Sequence, residues 1–272
     1  MRICRLAVLL IMLGVSIFDV RGSAAASTVS VLTGTIEGAA YKIEVPANWN
    51  GTLVLYNHGT VNTGQPNPAK DAGDPVTGDF LLGQGYALAG SSYSHTGQAI
   101  QWAMHDQIAL LDYFAATVGA PKRTITWGHS QGGTITAGLV QEFPNRFDGA
   151  LPMCGALGGM VAFFDQSFDQ QFVFKTLLAP GSALRLTGIA DPSGNVALGQ
   201  HVLAAAQATP GGRARLALVA AVGSLPGWFD PASPEPAQDD YATLEHNQFL
   251  WQQFFIPRDF GQRAELEARA GG

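Results

Sequence analysis

The chain has 272 residues, and its few charged residues are predominantly acidic, which gives a formal net charge of −6. An acidic chain of this kind is not expected to bind nucleic acid or an anionic membrane surface. The length suits one large domain, or one domain with an inserted cap. No pair of histidines has metal-ligand spacing, and no glycine-rich phosphate loop follows the first strand of a βαβ unit. We therefore expect no metal and no cofactor.

Residues 1–26 have the pattern of a secretory signal peptide. Arg2 and Arg5 precede an apolar run, and small residues follow as far as Ala26. Cleavage near Ala26 would make the protein secreted or periplasmic, whereas an uncleaved anchor is the alternative. Cleavage would also leave Cys154 without a disulfide partner. Cys154 could lie near the site at the end of a strand, but we favour a buried structural thiol.

Residues 27–155 alternate between β-type and helical patterns. Two β-type runs, at 33–36 and 41–45, predict a hairpin. Further strands are predicted at 52–57, 86–92, 123–127 and 149–153, helices at 79–84, 98–118 and 134–143, and a polar loop at 61–77. Pro152 weakens the last of these strands, because proline cannot donate a ladder hydrogen bond. The alternation predicts a mostly parallel sheet with helices on both faces and a ligand site at the carboxyl ends of the strands.

Residues 156–272 contain helical and loop-like patterns and no convincing strand. A loop is predicted at 226–236, and helix resumes near Tyr241. We interpret this half as a helical cap over the site. It holds most of the phenylalanines of the chain. These could line an acyl or aromatic substrate pocket, but we favour a role in the core of the cap.

The motif Gly128-His129-Ser130-Gln131-Gly132 lies between a predicted strand and a predicted helix. A serine on such a sharp turn is exposed above the helix N-terminus, which is the arrangement of a nucleophile elbow. The glycines are needed because the turn strains the backbone and the helix packs close to the strand. We therefore take Ser130 as a candidate nucleophile. An ordinary tight turn that happens to contain serine is the alternative.

A second motif, His58-Gly59-Thr60, follows the strand at 52–57. Acyl transfer develops negative charge on a carbonyl oxygen, which two backbone N–H groups can stabilise. We expect Gln131 and Thr60 to supply these N–H groups and His58 to shape the loop. A plain glycine turn after a strand is the alternative.

A serine hydroxyl needs a base, and in most cases that base is a histidine oriented by a carboxylate. His129 is not expected to be this base, because adjacent side chains on a tight turn diverge. His105 falls within a predicted helix and is interpreted as a satisfied or exposed helix residue. His246 is a weak candidate, so the sequence leaves the base and the acid unassigned.

The segments 53–59, 86–92 and 128–133 together resemble the α/β-hydrolase superfamily, in particular its serine esterase, lipase and prolyl-oligopeptidase-like branches. The resemblance implies an eight-stranded sheet, a Ser–acid–His triad in that chain order, and hydrolysis of an ester, thioester or amide through an acyl-enzyme. The family places its acid and histidine after two further strands, which this chain lacks. Our hypothesis is that the protein continues beyond Gly272 and that both residues lie in that further part.

The sequence thus predicts a secreted serine hydrolase that cleaves an ester or a related acyl bond of a small-molecule or lipid-like substrate through Ser130. A peptidase of the prolyl-oligopeptidase type is one alternative. Acyl transfer to an alcohol uses the same residues and is another. A non-catalytic binding protein on a hydrolase scaffold also remains open.

Overall fold

The computed structural model describes residues 28–271. The predicted signal peptide lies outside these residues. None of the helices within the described range combines the length and the apolar character that crossing a bilayer requires.

One mixed six-stranded sheet forms the first half of the described chain. Its strands are β1 Val29–Ile36, β2 Ala39–Pro46, β3 Thr52–Asn57, β4 Ala87–Ser91, β5 Arg123–His129 and β6 Gly149–Met153, in the spatial order β1-β2-β4-β3-β5-β6. Strands β4, β3, β5 and β6 are parallel to one another, and β1 and β2 join antiparallel. The predicted, mostly parallel sheet is confirmed.

The hairpin between β1 and β2 turns at Glu37 and Gly38, whose φ angles are 50° and 90°. Two consecutive positive φ angles match the right-handed twist of the flanking strands, so this turn closes a tight hairpin. The hairpin is confirmed, although β1 begins at Val29, ahead of the predicted run.

Three helices cross between the strands: α1 Pro75–Gly83, α2 Ile100–Thr117 and α3 Gln131–Glu142. The prediction that Pro75 lies in a loop is wrong. Asp74 caps α1 by accepting a hydrogen bond from the N–H of Thr77, and Pro75 fits the first turn because that position needs no intrahelical donor. Strand β6 forms despite Pro152, and within residues 28–271 it pairs only with β5, so the missing N–H of the proline leaves the described ladder in place.

Successive side chains of β3 are buried on opposite faces of the sheet. Leu53 and Leu55 pack on one face with Leu110 and Phe114 of α2, whereas Val54 packs on the other face. Successive strand side chains point to opposite faces, so a buried strand with helices on both sides is apolar throughout. Burial of each such large side chain contributes about 1.5–3 kcal/mol before the entropic costs of folding.

The second half of the described chain is helical: α4 Met160–Leu178, α5 Pro192–Gln207, α6 Pro210–Val222 and α7 Tyr241–Ala270. These helices enclose a separate apolar core formed by Phe174, Leu184, Leu203, Leu216, Val219, Ile256 and Phe260. A loop connects α6 to α7, as predicted. The helical layer lies against the carboxyl ends of the parallel strands, where one pocket is lined from both halves.

Candidate active site

Ser130 occupies the turn between β5 and α3 with φ 57° and ψ −127°. A non-glycine residue with positive φ is strained and persists only where its surroundings hold it. The flanking glycines provide the space for this turn. A Cβ on Gly128 would lie 2.7 Å from the carbonyl oxygen of Gly132, and a Cβ on Gly132 would overlap the carbonyl of Asn57. The local geometry is therefore that of a nucleophile elbow.

Backbone hydrogen bonds hold the elbow on both sides. The N–H of Ser130 donates to the carbonyl oxygen of Met153 at 2.9 Å, and the N–H of Gly133 donates to the carbonyl oxygen of Ser130 at 2.9 Å. The Ser130 side chain is half-buried and lines the pocket at the N-terminus of α3. The partial positive charge of that helix end favours developing negative charge nearby.

A buried amide supports the elbow from below. Nδ2 of Asn57 donates to the hydroxyls of Thr126 at 2.8 Å and of Thr136 at 2.7 Å. Its Oδ1 accepts from Nε2 of Gln107 at 2.8 Å. This network ties β3, β5, α3 and α2 together, and the sequence reasoning missed it because the partners are far apart in the chain.

The predicted oxyanion loop lies against the elbow. A Cβ on Gly59 would lie 3.5 Å from Cβ of Ser130, and Thr60 and Gln131 line the same pocket as Ser130. The first N–H groups of a helix have no intrahelical acceptor, so the N–H of Gln131 at the start of α3 is available to a ligand. The structure thus brings Ser130, Gln131 and Thr60 to one cavity.

His58 is buried under this loop. Its Nδ1 lies 2.7 Å from the carbonyl oxygen of Gly59 and its Nε2 lies 3.1 Å from that of Ser92. The ring stacks on Tyr93 with centroids 4.0 Å apart. Burial lowers the pKa of His58. Both ring nitrogens face carbonyl groups, so His58 can anchor the loop but presents no free nitrogen to Ser130.

The His129 ring contacts Tyr56 through one nitrogen, while its Nε2 faces the Gly59 loop, as Cβ of Ser130 does. Its Nδ1 lies 2.8 Å from the hydroxyl of Tyr56. Burial, together with the charge of Asp74, raises the pKa of Tyr56 to about 12, so the phenol keeps its proton and can donate a hydrogen bond to Nδ1. Partial burial and the charge of Lys70 lower the pKa of His129. If the phenol donates to Nδ1, the neutral ring carries its proton on Nε2 and has no free nitrogen to accept the Ser130 proton.

The remaining described histidines, His95, His105, His201 and His246, are exposed. None of them lines the pocket, and that pocket contains no aspartate or glutamate. The weak sequence candidate His246 therefore does not reach Ser130. Between residues 28 and 271 no group of three or more histidine, cysteine, aspartate or glutamate side chains is placed to hold a metal ion.

The pocket beside Ser130 has a volume of about 340 Å³. Its apolar wall comes from the helical half and consists of Met160, Phe163, Trp251, Phe254 and Phe255. The expectation that the phenylalanines of this half serve its core holds for only some of them. Phe174 and Phe260 are buried in the helical core, whereas the aromatic residues of the wall face the cavity because α4 and α7 border the strand ends.

Residues 25–185 match the Tannase-like family of unknown function (DUF6351). The chain belongs to this family. Its fold is that of the α/β-hydrolase superfamily, with a mostly parallel sheet and the elbow serine between β5 and α3.

A curated relative of this family member is an o-phthalyl amidase from Xanthobacter agilis, 29% identical over 226 residues that cover 75% of this chain and 48% of the relative. The chain thus spans about half the length of the curated relative that it matches. Among solved structures, an esterase from Pyrococcus furiosus is similar with a TM-score of 0.40 and 15% identity, over 56% of this chain and 57% of that chain. Feruloyl esterase B from Aspergillus oryzae has a TM-score of 0.38 and 19% identity, over 57% of this chain and 33% of that chain.

In this family member, Cys154 is exposed and lines the pocket with Ser130, so its interpretation as a buried thiol is wrong. The chain turns sharply after β6, and Cys154 takes a left-handed backbone conformation with φ 53°. That turn directs its side chain away from the sheet core.

Three polar residues of the pocket carry no local sequence motif, and the sequence reasoning missed them. Nε2 of Gln131 donates to Oε1 of Gln98 at 3.0 Å, and the amides of Gln98 and Gln262 lie 3.1 Å apart. With its oxygen facing the guanidinium, Gln262 accepts from Nε of Arg258 at 2.8 Å. Nη2 of Arg258 lies 3.3 Å from the hydroxyl of Thr60. This chain of contacts joins the elbow to α7.

Proposed function

We propose that this chain provides the nucleophile and the acyl pocket of an exported serine hydrolase that cleaves an ester or amide bond through an acyl-enzyme on Ser130. The observation that carries the proposal is the strained Ser130, placed at the N-terminus of α3 in a cavity that Thr60 and Gln131 also line. The tannase-like family and the o-phthalyl amidase relative support hydrolysis of an acyl compound.

In the proposed reaction, Oγ of Ser130 attacks the carbonyl carbon of the substrate while a base takes the hydroxyl proton. The carbonyl oxygen becomes negatively charged, and the backbone N–H groups of Gln131 and Thr60 stabilise it by about 3 kcal/mol each. The alcohol or amine then leaves with a proton, and water releases the acid from the acyl-enzyme. Because no described histidine lines the pocket, and because His58 and His129 hydrogen-bond to other groups, the proposal assigns the base to a residue outside 28–271.

The acyl half of the substrate is proposed to be aromatic or otherwise flat and apolar. Phe163, Trp251, Phe254 and Phe255 border the cavity, and rings 5.1 Å apart, as in Phe254 and Phe255, present a continuous apolar wall. The name of the relative describes an amide, and a serine nucleophile can form the same acyl-enzyme from an ester. The proposal therefore covers both leaving groups, and a matched panel of anilides, aryl esters and peptides would rank them.

Labelling with a fluorophosphonate probe tests the nucleophile. The full-length gene product should be labelled at Ser130, and Ser130→Ala should lose the label. Ser193→Ala, which removes an exposed hydroxyl at the start of α5, is the matched control and should keep it. A folded full-length protein that takes up no label, or equal labelling of Ser130→Ala, would reject the proposed role.

A binding protein without catalysis is the second candidate. It is favoured by one observation: both histidines nearest the elbow, His58 and His129, have ring nitrogens occupied by other partners. A full-length protein that binds aromatic acids in this pocket but neither labels at Ser130 nor turns over any ester or amide would support this candidate instead.

Export is proposed from residues 1–26. Sequencing the N-terminus of the protein recovered from the culture medium or the periplasm tests it. A mature N-terminus near Ala26 would support export, and retention of Met1 on cytoplasmic protein would contradict it.

A further inference from the structure

Arg258 of α7 reaches the pocket from the helical half. It is partly buried and lines the cavity together with Ser130. Nη2 of Arg258 lies 3.3 Å from the Thr60 hydroxyl, in the loop beside the nucleophile. The guanidinium carbon lies 5.4 Å from the centroid of the Phe254 ring, so the charged group rests on the edge of the apolar wall.

The charge of Arg258 has no carboxylate partner within 4.0 Å among the described residues. Other arginines do have one, since Arg146 pairs with Asp112 at 2.6 Å and Arg269 pairs with Glu265 at 2.9 Å. Asp259, its neighbour in sequence, acts on Arg258 through its charge without forming an ion pair within 4.0 Å, and it accepts a hydrogen bond from Ser167 at 2.8 Å. A partly buried charge without a partner costs free energy, which a bound anion would offset.

No other charged side chain lines the pocket beside Ser130. This cationic cavity occurs in a chain whose net charge is −6. Partial burial lowers the pKa of Arg258, but a guanidinium stays protonated in proteins. The cavity therefore combines an aromatic wall with one fixed positive charge.

The donors of Arg258 are only partly used. Nε and Nη2 face Gln262 and Thr60, whereas Nη1 has no acceptor among the described residues. A guanidinium presents parallel N–H groups that match the two oxygens of a carboxylate. Gln262 and Thr60 hold the side chain in place, so little rotamer entropy remains to be lost when an anion binds.

We propose that this pocket selects an acyl group that carries a carboxylate on or near an aromatic ring, and that Arg258 binds that carboxylate. The substrate class is then the monoester or monoamide of an aromatic dicarboxylic acid. The inference rests on the proposed function for the reaction at Ser130, but the recognition of the anion can be measured without catalysis.

The binding test uses the full-length protein with Ser130→Ala and two ligand sets that differ in one charge. Isothermal titration with the three carbamoylbenzoate isomers, each an aromatic amide with one carboxylate, is compared with the corresponding neutral diamides. We expect at least one carbamoylbenzoate to bind about 10- to 100-fold more tightly than its diamide. Arg258→Gln should remove this difference in affinity. Arg258→Lys should retain part of the difference, because lysine keeps the positive charge but lacks the parallel N–H donors of a guanidinium.

Arg263→Gln is the matched control. It removes the same charge from the same helix, but Arg263 stacks on Phe168 at 4.5 Å and does not line the pocket. It should keep the preference for the anion. Equal binding of charged and neutral ligands, or a preference that Arg258→Gln leaves intact, would overturn the inference.

Kinetics separate this inference from the proposed function. With 4-nitrophenyl esters of carboxybenzoic acids and their carbamoyl analogues, Arg258→Gln should lower kcat/KM about 10- to 100-fold for the anionic esters only, chiefly through KM. Anion binding that depends on Arg258 in a protein that does not hydrolyse or label would sink the catalytic role of Ser130 and leave the inference standing. Hydrolysis that shows no preference for anionic substrates would support the catalytic role of Ser130 and overturn the inference about Arg258.

Discussion

The hydroxyl of Tyr56 lies 2.8 Å from Nδ1 of His129, the histidine that precedes Ser130, and the protonated phenol can donate this hydrogen bond. Tyr56 lies on β3 and His129 ends β5, so the contact bridges neighbouring parallel strands. It gives His129 a structural partner on the neighbouring strand.

Removing this hydroxyl should change the titration of His129. Burial and the charge of Lys70 lower the pKa of His129, and a donor to Nδ1 stabilises the neutral ring in addition, so Tyr56→Phe should raise that pKa. Histidine NMR titration of both proteins measures the change. His129→Gln should also leave fluorophosphonate labelling of the full-length protein intact. An unchanged His129 pKa in Tyr56→Phe would show that the hydrogen bond does not hold the ring neutral.

Gly132 should be the glycine of the elbow that tolerates substitution least. A Cβ there would overlap the carbonyl oxygens of Asn57 and His58, which are backbone atoms that cannot move aside. We expect Gly132→Ala to destabilise the fold by about 1–3 kcal/mol or more, measured by urea unfolding.

Gly83 provides the control for this change. It ends α1, and a Cβ there meets nothing within 4 Å. Gly83→Ala should be neutral or stabilising by about 0.4–1 kcal/mol, because alanine lowers the entropy of the unfolded chain. Equal destabilisation by both changes would contradict the close contact at Gly132.

Asp259 should make stability fall as pH rises. Burial raises its pKa to about 6, although Ser167 donates a hydrogen bond to it. Its unfolded pKa is about 3.9, so its favourable contribution is complete below that value and is lost as pH rises through about 6. The free energy of unfolding of Asp259→Asn should therefore rise by roughly 2–3 kcal/mol relative to that of the parent between pH 4 and pH 8. Urea unfolding across this range measures the difference.

The titration of a second buried aspartate and a control substitution of an exposed aspartate bear on this experiment. Burial also raises the pKa of Asp71 to about 6, but its titration is common to both proteins and cancels in the difference. Asp169→Asn, on an exposed position of α4, is the matched control and should not reproduce the gain at pH 8. A flat difference between Asp259→Asn and the parent would show that Asp259 is better solvated than the structure indicates.

Alkylation of Cys154 should block access to the pocket. Because its side chain is exposed and lines the cavity with Ser130, alkylation with a bulky maleimide should block labelling of Ser130 in the full-length protein. Intact-mass measurement of both modifications checks this. Cys154→Ser should make the protein insensitive to the maleimide, and unimpeded labelling of the alkylated protein would place the thiol away from the acyl pocket.

Much of the site could be predicted from sequence because its signals are local. The glycines around Ser130 are required by a turn of a few residues, and the loop at Gly59 follows directly from the end of a buried strand. The apolar run of β3 predicted a strand covered on both faces, and parallel strands bring such loops to one edge.

The amino-acid sequence alone therefore determined the mixed sheet, the elbow and the juxtaposition of Ser130, Gln131 and Thr60. Only the tertiary structure decided which side chains complete the pocket. Arg258 approaches Thr60 from a position 198 residues further along the chain, a distance over which no periodic pattern carries information. The exposure of Cys154 depends on a single positive φ after β6, and the bond from Tyr56 to His129 depends on strand register. Contacts of this kind arise when separate elements pack, so they follow from the shape of the whole chain.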